Sequence, residues 1–182
     1  MEETTTNSQL ANLFGNPNTR EQAFSSMVEE FAEPLYMKIR HIVLTHEDAD
    51  DVLQETLVKA WMNLGNYEGK AKFSTWLYRI AVNEAIDFIR RTKNTVTLDS
   101  PEAVNVAQRL MADEYFDGDE AQACLQQAIA SLPEIQRGVF TMRYYGDMKY
   151  SEMSMILGAT EGSLKASYHI AAKKIRQIME TK

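Results

Sequence analysis

Apolar residues recur along this chain at intervals of three and four, and nowhere do they alternate one by one as a half-buried strand requires. Phe24, Met27, Val28 and Phe31 begin the pattern, and Leu35, Ile39, Ile42 and Val43 continue it. Leu53, Leu57, Ala60, Trp61 and Leu64 form a second stripe; Trp76, Leu77, Ile80, Ala81, Ala85, Phe88 and Ile89 form a third. This spacing gathers apolar side chains on one face of a helix, and that face must be buried against other helices. The fold class is therefore all-α.

Breakers and caps divide the pattern. Pro34 cannot donate to the preceding turn, so a kink or break is expected there. Thr45 to Asp48 reads as a turn before a helix from about Asp48 to Leu64, and Ser74 or Thr75 can cap the helix after the Gly65–Gly69 loop. Residues 94–117 lack a sustained amphipathic period. Four helical pieces follow: Ala121 to Ser131; a helix with Pro133 at its first position that buries Ile135, Val139, Phe140 and Met142; a short one capped by Ser151; and one from Thr160 to Met179. Two small helical domains joined by a flexible acidic linker are expected: a loose tail over 1–18, a helical domain over 19–93, the linker over 94–120 and a helix-turn-helix domain over 121–182.

The net charge of −7 conceals an uneven distribution. Residues 59–93 carry seven Lys and Arg against three acids, a balance of +4; residues 94–123 carry seven acids against Arg109, a balance of −6. Residues 160–182 return to +3, five bases against two acids. Two basic patches flank an acidic connector, which suits contact with DNA at two places and weak binding by the chain alone, because phosphate neutralisation dominates affinity. The single Cys124 excludes an internal disulfide and falls on a helical stripe as a small hydrophobe. The polar start has no signal-like apolar core, so a cytoplasmic protein is expected.

Two stretches carry candidate chemistry. In Tyr67 to Lys93 a loop bearing Lys70 and Lys72 enters an aromatic helix with Phe73, Trp76, Arg79 and Asn83, ending in Arg90, Arg91 and Lys93. Aromatic faces beside fixed positive charge can hold the unstacked bases of a single strand. The alternative is an amphipathic helix whose aromatics are core and whose basic end complements its dipole. Further on, a short helix, a turn built on Gly158-Ala159-Thr160 and a longer helix have the layout of a helix-turn-helix. Ser163, Lys165, Ser167 and His169 would reach base edges, while Lys173, Lys174 and Arg176 suit phosphates. A plain helical hairpin with a solvated basic end is the competing reading. No phosphate-cradling glycine loop, Cys/His metal spacing or nucleophile–base pair is legible, so neither an enzyme nor a cofactor or metal site is expected; His41 and His46 read as structural.

Four segments together resemble one family. Asp48 to Trp61 is similar to the polymerase-binding segment of region 2 in bacterial sigma factors, and Phe73 to Asn83 to the segment after it. Leu132 to Phe140 and Thr160 to Lys165 resemble region 4. Their order, and the absence of an intermediate domain, resemble the extracytoplasmic-function (ECF) group of the sigma-70 family over about residues 22–93 and 121–180. The resemblance implies that Asp48, Asp51, Gln54 and Glu55 dock on core RNA polymerase. It implies that Tyr67, Lys70, Lys72, Phe73, Trp76, Arg79, Asn83, Arg90 and Arg91 handle the promoter's −10 element, with Asn83 the better pocket residue and Trp76 partly core. Region 4 would bind the −35 element through Thr160, Ser163, Lys165, Ser167, His169, Lys173, Lys174 and Arg176. A cognate anti-sigma protein is also implied as partner. One departure is visible: Ser167, Ile170 and Ala172 stand where the family often has arginines, which implies fewer phosphate contacts. A self-sufficient helix-turn-helix regulator and a helical protein-interaction adaptor stay open as alternatives.

Overall fold

Asn16 and Pro17 make the first corner of the molecule. In the computed structural model, which describes residues 2–95, 110–113 and 118–180, the Asn16 side chain accepts from the Asn18 amide at 3.0 Å and Pro17 opens the next helix. Helix α1 (Glu2–Gly15) precedes this corner and α2 (Pro17–Val43) follows it. The tail expected to be loose is thus helical, and Phe14 within it is 1% exposed. Its partners lie far away in sequence, so local pattern gave no sign of them. Helix α2 passes through Pro34 without ending. Leu35, Ile39 and Ile42, all buried, hold the following turns in place.

Thr45 caps α3 (His46–Asn63) by accepting from the Asp48 amide at 3.2 Å. The buried face of α3 is Ala49, Val52, Thr56 and Ala60, with Leu53 and Leu57 at its margin. Of the stripe expected on Leu53, Leu57, Ala60, Trp61 and Leu64, Ala60 and Leu64 are fully buried, while the buried face is turned one step away from Leu53, Leu57 and Trp61. Small side chains let α3 approach α2 and α4 closely, and the Thr56 hydroxyl is satisfied by donating to the Val52 carbonyl at 2.7 Å. Trp61 ends at the edge, with the Phe24 ring 5.0 Å away and the Arg20 guanidinium 4.5 Å above it. A 3₁₀ turn over Leu64–Asn66 and a short loop lead into α4 (Phe73–Thr95), which closes a three-helix bundle with α2 and α3.

The C-terminal unit comprises α5 (Glu120–Ala130), α6 (Glu134–Tyr144), α7 (Tyr150–Leu157) and α8 (Glu161–Glu180). Asp119 caps α5 by accepting from the Gln122 amide at 2.8 Å. Ala128, Ile129, Leu132, Phe140, Ala171 and Ile175 form the local core. Ile135, expected inside, is 47% exposed, and Cys124 is only half-buried.

The two units pack on one another. Val139 and Met142 of α6, Met148, Met153 and Ile156 at α7, and Leu164 of α8 belong to the same apolar cluster as Ile39, Ile42, Val82 and Ile86. At Gly138 the helices come so close that an added Cβ would lie 3.1 Å from Ile86 Cδ1. Arg137, 6% exposed, crosses the junction, donating to the Ile42 carbonyl at 3.1 Å and to the Ala130 carbonyl. Burial pulls its guanidinium down to about 10, so it remains charged at neutral pH. The His41 ring stacks on Tyr145 at 4.0 Å, and Arg40 pairs with Asp113 at 2.6 Å, beside the buried Leu110. Most of the expected linker, 96–109 and 114–117, and the last two residues lie outside the described residues. No described helix is long and apolar enough to cross a membrane.

Candidate nucleic-acid interface

The outer face of α3 follows from its inner one. With Val52, Thr56 and Ala60 turned inward, Asp51, Gln54 and Glu55 are exposed, and Asp48, near the cap, is half-buried. Glu55 accepts from Arg91 of α4 at 2.9 Å, and Asp51, Gln54, Glu55, Phe88, Arg91 and Thr92 line one cleft between the helices. Residues assigned from sequence to two different partners, Glu55 and Arg91, thus meet. Sequence reasoning missed Val58 and Met62, 58% and 70% exposed on the same outer face. Their signal was present: apolar side chains off the stripe, at helical spacing from Gln54.

Lys59 is not part of an open basic surface. Its ammonium pairs at 2.6 Å with Glu84, whose side chain is 7% exposed, and so ties α3 to α4. Between these helices the loop residues Lys70 and Lys72 face solvent, Lys70 paired with Glu68. Tyr67 and Phe73, at the two ends of the loop, are 5% and 3% exposed. Their rings lie 5.2 Å apart, with Trp76 at 5.6 Å from the first and 5.4 Å from the second. In this conformation neither Tyr67 nor Phe73 opens a ring face to a base. Trp76 is half-buried, while Arg79, Asn83, Arg90 and Arg91 are exposed. Arg90 is held by Asp87 at 2.9 Å.

In the C-terminal unit the turn is built as expected. Gly158 ends α7 at φ 65°, a left-handed conformation that favours glycine, and the Thr160 hydroxyl accepts from the Ser163 amide at 3.2 Å to start α8. The Glu152 carboxylate, rather than Ser151, secures the start of α7 by accepting from the Lys149 amide at 3.1 Å. Leu164, Ala171 and Ile175 face inward. Thr160, Ser163, Lys165, His169, Lys173, Lys174 and Arg176 are exposed and Ser167 is half-buried. Lys165 lies over the Tyr150 ring at 5.6 Å and within 3.8 Å of Glu161. An exposed, mostly polar helix face behind a short helix and a tight turn can enter a major groove.

His41 and His46 are engaged elsewhere. His46 Nδ1 shares a hydrogen bond with the Tyr36 hydroxyl at 2.7 Å, and His41 is stacked at the junction. Among the described residues no group of three or more His, Cys, Asp or Glu is placed to hold a metal ion.

Two family models match the chain in order: sigma-70 region 2 over residues 27–95 and sigma-70 region 4 over residues 122–175. The chain belongs to the sigma-70 family. This sigma factor is 29% identical over 166 residues to the ECF RNA polymerase sigma factor SigW of Bacillus subtilis, covering 86% of this chain and 89% of that protein. It is 28% identical over 168 residues to the RNA polymerase sigma-H factor of Pseudomonas aeruginosa, covering 87% of each. These relatives and the two-region layout put it in the extracytoplasmic-function group. Its fold is shared with CnrH, solved in complex with the cytosolic domain of CnrY, at TM-score 0.69 and 22% identity, covering 100% of this chain and 99% of that one. The sigma factor RpoE of Bartonella quintana, solved with the anti-sigma factor NepR, gives TM-score 0.64 and 20% identity, covering 86% and 96%. Helices α2 to α4 carry the region 2 match, and α5 to α8 the region 4 match.

Proposed function

We propose that this sigma factor directs core RNA polymerase to promoters by dividing recognition between two surfaces on its two units. The carrying observation is that both surfaces face outward on family-matched elements: Asp51, Gln54 and Glu55 on α3, and Ser163, Lys165, His169, Lys173, Lys174 and Arg176 on α8. The α3 face docks on a basic helical partner in core polymerase. Its acids supply charge complementarity, and Val58 and Met62 supply apolar area to bury. The loop 67–72 and the exposed side of α4 handle the −10 element: Lys70, Lys72, Arg79 and Arg90 meet phosphates, and the Asn83 amide reads a base edge. Arg91 joins them when core contact draws Glu55 away. Helix α8 binds the −35 element, with Ser163, Lys165, Ser167 and His169 toward bases and Lys173, Lys174 and Arg176 toward phosphates.

A cognate anti-sigma protein is the second partner we propose. Support comes from the fold shared with two sigma factors solved in complex with CnrY and NepR. The deciding experiment is run-off transcription with purified core polymerase on genomic promoter fragments. Discrete transcripts that require both core and this chain are expected. Tight promoter binding without core would favour a self-sufficient regulator instead, and binding to neither would favour an adaptor.

A further inference from the structure

The loop that enters α4 is held by rings, and one of those rings comes from outside the region 2 match. Phe14 of α1 lies 5.0 Å from the Phe73 ring and 6.2 Å from the Tyr67 ring, so it touches both ends of the 67–72 loop. Phe31 reaches Phe73 from α2 at 5.8 Å, while Trp76 covers the cluster from α4. The matched region begins at residue 27, so Phe14 lies outside it.

The loop has little regular backbone to fix its shape. The Tyr67 amide donates to the Leu64 carbonyl at 3.1 Å, and the Tyr67 hydroxyl spans the loop to the Ala71 carbonyl at 2.7 Å. Ring position therefore sets where the Tyr67 hydroxyl sits, and through it where Lys70 and Lys72 point. Phe14 is itself held firmly. The Thr19 hydroxyl donates to the Leu13 carbonyl at 2.8 Å, and Arg20 at the start of α2 donates to the Trp61 carbonyl while covering the Trp61 ring. The corner between α1 and α2 is thus clamped to the end of α3, immediately before the loop.

We infer that Phe14 is a positioning residue for promoter melting: it acts through Tyr67 and Phe73 to hold the 67–72 loop in the geometry that receives the −10 strand. This rests on the function proposed above. Phe14 contacts no DNA; it removes the freedom that an unsupported loop must lose at the moment the strand separates. Its effect belongs to strand separation and not to docking on core, because the α3 face lies on the other side of that helix from the buried cluster.

The test compares one promoter in two forms, fully duplex and with a mismatched bubble over the −10 element, using core polymerase and the full chain as wild type, Phe14→Ala and Phe14→Leu. Phe14→Ala should lower initiation from the duplex by about ten- to a hundredfold. The bubble template should restore most of that loss, and core affinity of the variant, read by fluorescence anisotropy, should be unchanged. Phe14→Leu, which keeps most of the volume and safeguards folding, should fall between. Equal losses on both templates, no loss on either, or faster initiation from the duplex would each overturn the role. Wild-type inactivity on both templates would instead remove the reading beneath it.

Discussion

Asn83 stands two turns beyond Trp76 on the same side of α4, and its amide is exposed where the tryptophan is half-buried. The amide offers one donor group and one acceptor to a base edge, so its loss should act on promoter opening alone. We expect Asn83→Ala to slow open-complex formation by a factor on the order of ten, as loss of a good base contact implies. Core affinity, measured by titration with labelled chain, should stay the same; a loss there would place Asn83 in the wrong interface. Single residues of this kind were legible because exposed Asn, Lys and Arg on a helix face do not depend on distant partners. Tyr67 and Phe73 were not, since one of the rings that bury them, Phe14, comes from a segment whose short apolar cluster Leu10, Leu13 and Phe14 carries no sign of a partner so far along the chain.

Among the elements, α3 shows most clearly what a stripe can and cannot reveal. Its existence and its acidic face were readable from period and composition, as were Gly158 and Thr160 of the helix-turn-helix; its start at His46 under a Thr45 cap was not, since Thr45 to Asp48 reads as a turn. Its rotation was not, because Ala49 and Thr56, which turn inward beside Val52 and Ala60, look weakly apolar in isolation. That rotation puts Asp51, Glu55, Val58 and Met62 together outside. We expect Asp51→Arg combined with Glu55→Arg to weaken core binding by at least about tenfold, in line with reversal of charge pairs at an interface. The Glu55–Arg91 pair is largely exposed and screened by water, so its loss should leave stability close to that of the wild type. Thermal unfolding near that of the wild type, together with unchanged promoter choice, would separate docking from folding. A collapse in stability would show that the face is structural.

The whole molecule holds its two units against each other through Arg137, the His41–Tyr145 stack and the shared apolar cluster, an arrangement no local pattern could disclose. A promoter asks for something different. Elements centred near −10 and −35 lie about 25 base pairs apart, roughly 85 Å of duplex at 3.4 Å per pair. Here α4 packs directly on α7, so the units must separate to reach both elements at once. His41 makes this packing sensitive to acid. Burial, with Lys38 and Arg40 close by, lowers its pKa below the ordinary value of 6.5. The packed form therefore binds fewer protons than the separated form. Its stability is fully present above pH 6.5 and declines as pH falls through the lowered value. We expect the radius of gyration from solution scattering to rise between pH 8 and 5.5 in the wild type, with the rise reduced in His41→Phe, which keeps the stack without titrating. An identical rise in both would assign the change to other groups.

The division of promoter recognition between α4 and α8, under the control of core polymerase, is tested most directly by permanganate reactivity of −10 thymines on a promoter recovered from run-off transcription. Reactive thymines should appear only when core polymerase and the chain are both present. Thymines that stay unreactive with both, or react with the chain alone, would contradict a promoter-melting sigma factor.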